Sequence, residues 1–220
     1  MRRLFPQPAD DISVVECCTT ARPRPADRPY VMLCMVASID GSTVVDENSR
    51  ALSSPTDQQM LLTLRTFADV IVVGAGTVRA DRYGPPKVPG QRIAVVSRSG
   101  RFDFDSPLFT SGAALMILPV DAPLVPVPSV RAGVGEVDLA AAIRMLDAQV
   151  VQAEGGPSIN GMLAAGDLLD EVNLTVSPRL AGGDGPRVTN GGAAVSHRMH
   201  LAQVCEADDG FLFTRYLRAR

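Results

Sequence analysis

The stretch Val70-Ile71-Val72-Val73-Gly74-Ala75-Gly76-Thr77 joins four consecutive β-branched residues to a glycine turn. β-Branched residues without alternation predict a strand buried on both faces, as in a sheet covered by helices on both sides. Gly74 and Gly76 end the strand and open a short helix that reaches about Asp81. Glycines at a helix start let a ligand phosphate approach free backbone N–H groups. The turn is not the dinucleotide fingerprint, because Arg79 stands where the third glycine would be.

A second predicted strand, Gln149–Ala153, ends in a similar turn, Glu154-Gly155-Gly156-Pro157-Ser158. Gly155 and Gly156 suit a pyrophosphate held close to backbone amides at a helix start. Glu154 is a poor neighbour for a phosphate, so we expect it to face a substrate donor such as a ring N–H. Two turns of this kind in one chain favour a dinucleotide ligand.

Strand and helix patterns alternate along the rest of the chain and end in a hairpin. Predicted strands are Tyr30–Ala37, Arg92–Ser97, Ala113–Leu118 and Asp170–Ser177, and predicted helices start at Ser54, Leu139 and Ser158. The tail predicts a β-hairpin made of Leu201–Ala207 and Phe211–Leu217. This order predicts an α/β fold of three layers with a mixed, mainly parallel sheet. We expect residues 30–220 to form one domain after a proline-rich N-terminal arm, residues 1–29.

Composition excludes several classes of protein. The chain has 220 residues, 46% of them apolar, and a net charge of −3. No basic field is available for nucleic acid or an anionic membrane, and no apolar run is long enough to span a bilayer. The four cysteines lack metal-ligand spacing and are expected to be free thiols, which predicts a cytoplasmic protein.

Other catalytic chemistries fail for lack of the necessary residues. The chain has no zinc-deaminase signature, no Gly-x-Ser-x-Gly turn and no Walker lysine. Its two histidines, His197 and His200, have no nearby carboxylate or cysteine pair, so we expect no metal site. Two phosphate-binding turns without a strong nucleophile suit a hydride-transfer enzyme whose cofactor carries the difficult chemistry.

The order of the motifs resembles the reductase domain of bacterial riboflavin biosynthesis. The similar segments, in chain order, are Arg28–Gly41, Leu52–Pro55, Leu64-Arg65, Asp69–Ile71, Gly76–Asp81, Glu154–Pro157, Leu168–Glu171 and Ser177–Leu180. The resemblance implies a dihydrofolate-reductase-like fold, a homodimer and NADPH as reductant. It implies reduction of a ribosylaminopyrimidine phosphate, of the 5-amino-6-(5-phosphoribosylamino)uracil type, to its ribityl form.

The resemblance also implies which residues form the site. Substrate would be bound by Ser49, Arg65 and Glu154. The guanidinium of Arg65 would form two hydrogen bonds with a sugar phosphate. Cys34 stands where the family often has a lysine, and Lys87 could replace the family's second phosphate-binding arginine as a point charge. The expected cofactor-binding residues include two, Gly74 and Arg98, that come from the turns themselves and not from the resemblance. The full set is Val36, Ala51, Gly74, Thr77, Asp81, Ser97, Arg98, Gly155, Gly156, Pro157 and Ser158.

Three further expectations concern selectivity, proton transfer and assembly. The basic turn Ser97–Arg101 follows a buried strand and predicts a preference for the 2′-phosphate of NADPH. Asp40 closes the first strand of the domain and is the expected proton donor, with Glu154 as the alternate. Phe211-Leu212-Phe213 and Tyr216 would supply an apolar edge for a homodimer.

Two other functions stay open at this point. A pterin or folate reductase of the same fold would hold the amidine-like N–H edge of its ring through Glu154 or Asp40. A non-catalytic dinucleotide sensor would bind NADPH tightly without turnover. The acidic balance disfavours a nucleic-acid binder.

Overall fold

A computed structural model describes residues 1–46 and 48–219 and shows one ten-stranded sheet. The strands are β1 (Arg2–Phe5), β2 (Tyr30–Ser38), β3 (Val70–Gly74), β4 (Arg92–Val96), β5 (Ala114–Leu118), β6 (Ser129–Arg131), β7 (Val150–Ala153), β8 (Glu171–Ser177), β9 (Met199–Glu206) and β10 (Leu212–Arg218). The helices are α1 (Val14–Cys18), α2 (Pro55–Arg65), α3 (Ala75–Asp81), α4 (Pro107–Thr110), α5 (Leu139–Arg144) and α6 (Pro157–Ala165).

The sheet has the order β1-β9-β10-β8-β2-β7-β3-β4-β5-β6. The seven consecutive strands β8-β2-β7-β3-β4-β5-β6 of this order pair parallel with one another. β10 pairs antiparallel with both β8 and β9, and β9 pairs antiparallel with β1. A mixed, mainly parallel sheet with an antiparallel C-terminal hairpin is therefore confirmed.

Alternate residues of the central strands point into cores on opposite faces of the sheet. Val70 and Val72 of β3 pack with α5 and α6 on one face. Ile71 and Val73 pack on the other face with α3 and α4. A third cluster joins α1 and α2 to β2 and the hairpin. Helices on both faces explain why the strand VIVV carries no polar alternation.

Helix α2 begins as its sequence predicts. The Ser54 side chain accepts a hydrogen bond from the N–H of Asp57, and Pro55 occupies the first helical turn. Serine caps and a first-turn proline both fit backbone groups that have no partner within the helix. The cap fixes the start of α2 beside the end of β2, next to the site described below.

The N-terminal segment lacks helix and strand throughout its proline-rich part, residues 19–29, whereas the residues before them pack on the domain. β1 pairs with β9, and Cys17 and Cys18 of α1 are buried in the same core as β2. Ser13 and Glu16 form a reciprocal capping box that starts α1. Ser-x-x-Glu before apolar residues is a sequence signal for this helix, and α1 ends before the first proline of the later run, Pro23.

Two other short elements lie outside the predicted pattern. α4 has four residues and β6 three, too few for a detectable period, although both pack at the β5 end of the sheet. No helix in residues 1–46 and 48–219 has the length and apolar character needed to cross a membrane. The same residues contain no cluster of three or more metal-binding side chains.

Candidate active site

A cavity of about 580 Å³ opens where β2, β3 and β7 end. These strands are parallel neighbours, so their carboxyl ends meet at one edge of the sheet. Ligands of open α/β sheets bind in such crevices, and the volume is within the range of small-molecule sites.

The two predicted glycine turns meet in this cavity. The Gly74 N–H donates a 2.7 Å hydrogen bond to the Gly155 carbonyl. A Cβ atom on Gly74 would lie 3.2 Å from the Gly156 nitrogen, and one on Gly156 would lie 3.2 Å from the Thr77 hydroxyl oxygen. Larger residues would crowd this junction, so the glycines allow the two turns to lie side by side. The resulting surface of backbone and hydroxyl groups fits the phosphates of a dinucleotide.

Most of the residues expected to bind cofactor lie at the cavity. Gly155 contributes the carbonyl that joins the turns, whereas Ala51 is exposed on a short 3-10 helix and is not part of the wall. The Ser97 hydroxyl accepts the N–H of Gly100 and so shapes its own turn. The lining residues from the expected set are Ser49 and Glu154, for substrate, and Val36, Gly74, Thr77, Asp81, Gly156, Pro157 and Ser158, for cofactor.

Arg65 and Glu154 form an ion pair at the cavity wall. Arg65 donates from Nε and Nη2 to the two carboxylate oxygens of Glu154, at 2.7 and 2.6 Å. The Tyr83 hydroxyl and the Gln152 amide donate to the same carboxylate. Burial and the charge of Glu154 raise the pKa of the Tyr83 phenol well above its usual value, so it stays protonated.

This arrangement bears on two expectations. Each oxygen of Glu154 already accepts two hydrogen bonds, so the carboxylate has little capacity left for a substrate N–H. Arg65 is paired with Glu154 and is absent from the cavity lining, so binding of a phosphate by Arg65 stays a prediction. None of the described lining residues is Lys, Arg or His, and Cys34 forms wall where a lysine was considered. Lys87 lies outside the lining.

Asp40 also has a role different from the expected one. Its two carboxylate oxygens accept the N–H groups of Ala181 and Gly182, at 3.0 and 2.7 Å. These bonds, together with the Ser38 hydroxyl, hold the pKa of Asp40 well below its usual range. Asp40 is exposed, ionised and absent from the cavity wall. It fixes the turn after β2 against the loop after β8, and we withdraw it as the proton donor.

Two ionisable residues of the cavity wall, Asp57 and Tyr83, are not among the site residues expected from the sequence. Asp57 is buried in the first turn of α2, and burial raises the pKa of its carboxyl. An acid in the first turn of a helix is so common that its position alone gave no functional signal. Tyr83 follows α3 and precedes Gly84-Pro85-Pro86, in a segment with no periodic pattern.

The fold and the cavity define an α/β protein with a dinucleotide-type cleft. A family model described as the RibD C-terminal domain matches residues 29–213, and the chain belongs to this family. The family comprises the pyrimidine reductases of riboflavin biosynthesis, which are oxidoreductases, and the resemblance noted in the sequence is thereby confirmed.

Two curated archaeal relatives carry the name 2,5-diamino-6-ribosylamino-4(3H)-pyrimidinone 5′-phosphate reductase. The protein of Methanothermobacter thermautotrophicus is 27% identical over 186 residues, covering 76% of this chain and 86% of the relative. That of Archaeoglobus fulgidus is 27% identical over 215 residues, covering 85% and 97%. A pyrimidine reductase-like protein of Corynebacterium diphtheriae has a similar fold, with a TM-score of 0.82, 23% identity and coverage of 95% and 100%.

Proposed function

We propose that the protein uses NADPH to reduce the ribosylamino group of a 5-amino-6-ribosylaminopyrimidine 5′-phosphate to its ribityl form. One observation carries the proposal: in a chain of this reductase family, both glycine turns meet at a single cavity beside the carboxyl ends of β2, β3 and β7. The names of the archaeal relatives support the same reaction.

The family uses a nicotinamide cofactor, and the glycine junction fits its pyrophosphate. We place the cofactor phosphates beside Gly74, Thr77 and Gly156, since backbone at this junction has no Cβ atom to block approach. Ser158 and Asp81 at the cavity wall supply further polar contacts. The bound cofactor would supply the hydride.

A preference for NADPH over NADH rests on the turn after β4. β4 is the parallel neighbour of β3, and Val96 pairs with Gly74, so Ser97 follows at the same edge of the sheet as the cavity. The Arg98 side chain is 73% exposed, and its ion pair within the described part of the chain is a 3.3 Å contact with the exposed Glu136. It is therefore available to a 2′-phosphate. Calorimetry with NADPH and NADH on wild type and Arg98→Ala would test this preference; equal affinities in the wild type would contradict it.

The residues of the chain contribute position rather than a nucleophile. The ring-opened ribosylamine would accept hydride at its imine carbon and a proton at nitrogen, and the proton would come from water since neither Asp40 nor Glu154 is placed to give it. Orientation of the two reactants in one cavity is worth several kcal/mol when the reacting atoms are near contact. The Arg65–Glu154–Tyr83 cluster holds the wall of that cavity in place.

We also propose a homodimer whose interface differs from the one expected from the sequence. Phe211 and Phe213, expected at the edge, are buried within the chain. Beside Thr214 and Glu206, the other face of β8, β10 and β9 carries apolar side chains that are exposed or partly buried, and these leave a surface for a second copy. They are Val172, Leu174, Val176, Leu201, Val204, Leu212 and Tyr216. Light scattering that shows a monomer at micromolar concentration would contradict the dimer.

The activity is tested by following reduced-nicotinamide absorbance with the purified protein. The ribosylaminopyrimidine phosphate and dihydrofolate are offered in parallel, at matched concentrations. Turnover of the first alone supports the proposal, and turnover of dihydrofolate alone supports a folate reductase. Tight NADPH binding without turnover of either would indicate a dinucleotide sensor.

A further inference from the structure

The described carboxylates that line the cavity differ in whether an ion pair or solvent stabilises their negative charge. Glu154 is paired with Arg65, and Asp81, at the end of α3, is half-exposed to solvent. Asp57 is buried, yet no Lys, Arg or His of residues 1–46 and 48–219 forms an ion pair with it. A desolvated carboxylate without a cationic partner is costly, so it needs hydrogen-bond donors from elsewhere.

Donors from the chain satisfy only part of this need. The Ser53 hydroxyl donates to Oδ2 of Asp57 at 2.6 Å. The Ser53 and Thr175 hydroxyls favour the ionised form, but burial has the larger effect and raises the pKa of Asp57. A carboxylate offers about four lone-pair positions. Acceptor capacity therefore remains on a side chain that forms part of the cavity wall.

The ring substrates of this reaction differ at the atom that would meet such a carboxylate. A 2-amino-4-oxopyrimidine presents its ring N3–H and an amino N–H side by side, a donor pair that matches two carboxylate oxygens in the way a guanidinium does. A uracil presents the same ring N–H beside a carbonyl oxygen, whose lone pairs repel a carboxylate. Discrimination at this edge would be strong, since a mismatched ring leaves buried polar groups unpaired.

We propose that Asp57 is the specificity-determining residue of the site and accepts two hydrogen bonds from the N3–H and 2-amino groups of a 2-amino-4-oxopyrimidine ring. The inference deepens the proposed function and rests on it for the identity of the reaction. It makes the diaminopyrimidinone phosphate the substrate and its uracil counterpart a poor one. The uracil-type substrate implied by the sequence resemblance would then be replaced.

The test compares the two phosphates, which differ only in the 2-amino or 2-oxo group, as substrates for wild type, Asp57→Asn and Glu16→Gln. We expect wild type to favour the 2-amino substrate in kcat/KM by on the order of 100-fold or more. Asp57→Asn offers one acceptor and one donor, which matches the uracil edge, so the preference should collapse or reverse. Wild-type preference for the uracil substrate, or the same ratio in Asp57→Asn, would overturn the proposal.

Glu16→Gln is the matched control. Like Asp57, Glu16 is an acid in the third position of a helix, but it is exposed on α1 and away from the cavity. It should keep the wild-type substrate ratio. Thermal unfolding of the variants, followed by circular dichroism, separates loss of fold from loss of selectivity.

A binding measurement makes the inference independent of turnover. The free bases 2-amino-4(3H)-pyrimidinone and uracil are titrated into the NADPH-loaded protein, with ligand-observed NMR as readout. Stronger binding of the amino base by wild type, lost in Asp57→Asn, supports the recognition even if neither phosphate is reduced, in which case the proposed function alone fails. If the phosphates are reduced and the ratio of their kcat/KM values is the same in wild type and Asp57→Asn, the proposed recognition is wrong and the proposed function still holds.

Discussion

Two glutamates on either side of strand β2, Glu154 and Glu171, each accept hydrogen bonds from an arginine, a tyrosine hydroxyl and a side-chain amide. Glu154 receives Arg65, the Tyr83 hydroxyl and the amide of Gln152. Glu171 receives Arg22 at 2.8 and 3.1 Å, the Tyr30 hydroxyl at 3.1 Å and the amide of Asn173 at 2.9 Å. In both clusters the arginine is bidentate, which is the strongest geometry available to such a pair.

The surroundings of the two clusters differ. The Glu171 carboxylate is fully buried, and Arg22 joins the segment before β2 to the first residue of β8. Arg65 is 18% exposed, and Glu154 and Tyr83 form part of the cavity wall. The same chemistry therefore anchors the N-terminal segment in one place and shapes the candidate active site in the other. Breaking each cluster should affect different measurements.

Arg22→Met should have the largest effect on stability. It leaves the Glu171 charge buried without its cation, and removal of one partner from such a pair costs about 3–5 kcal/mol. Chemical denaturation followed by far-UV circular dichroism measures the loss, since the chain contains no tryptophan. The folded fraction should keep its NADPH affinity and its kcat/KM.

Arg2→Ala is the control for Arg22→Met. Arg2 pairs with Glu206 at the exposed edge of the sheet, where solvent screening leaves such a pair with little effect on stability. Similar losses in the two arginine variants would show that burial of the Glu171 cluster does not determine its contribution.

Glu154→Gln should have the opposite effect to Arg22→Met, with a small loss of stability and a large loss of kcat/KM. Arg65 reaches solvent in part, so we expect a smaller stability loss, about 1–3 kcal/mol. The wall that carries the Gly155-Gly156 turn loses its ion pair, and small displacements of reacting groups can lower kcat/KM by about 100-fold. Steady-state kinetics with NADPH and the pyrimidine phosphate measures the effect. A loss of stability with unchanged kcat/KM would make this cluster purely structural.

The two tyrosines provide a milder comparison. Tyr83→Phe and Tyr30→Phe each remove one hydroxyl from a buried glutamate that keeps its arginine and amide, so each should cost about 1 kcal/mol. Only Tyr83→Phe should also lower kcat/KM, because Tyr83 is part of the cavity wall. Equal kinetic effects in the two variants would contradict the division between an anchoring cluster and a site cluster.

Asp40→Asn should have the smallest effect, and the effect should depend on pH. The pKa of Asp40 is lower in the folded protein than in the unfolded chain, so its ionised form stabilises the fold above the unfolded-state pKa. That contribution disappears as the pH falls through the folded-state value. Melting temperatures of wild type and variant should therefore differ slightly near pH 7 and converge in acid. A kcat/KM much below that of wild type would restore Asp40 to the mechanism.

The elements with strong local signals were predictable from the sequence. The run Val70–Val73, the Ser54 cap and the Asp-Asp-Gly turn before β10 each depend on neighbours in the chain, and the structure has β3, α2 and the hairpin at these places. The meeting of the two glycine turns was also predictable, because carboxyl ends of parallel strands share an edge. The segment before β2 was harder, since it contains both the capping box at Ser13 and a later run of prolines.

The sequence by itself determined the strand and helix order, the two glycine turns and the likeness to a reductase family. Only the tertiary structure decided which charges meet. Arg65 and Glu154 are 89 positions apart, and Arg22 and Glu171 are 149 apart. No local pattern could show that Arg65 is already paired or that Asp57 is not. Secondary structure follows from neighbouring residues, whereas the partner and burial of a charged side chain depend on contacts that exist only after the sheet has brought distant segments together.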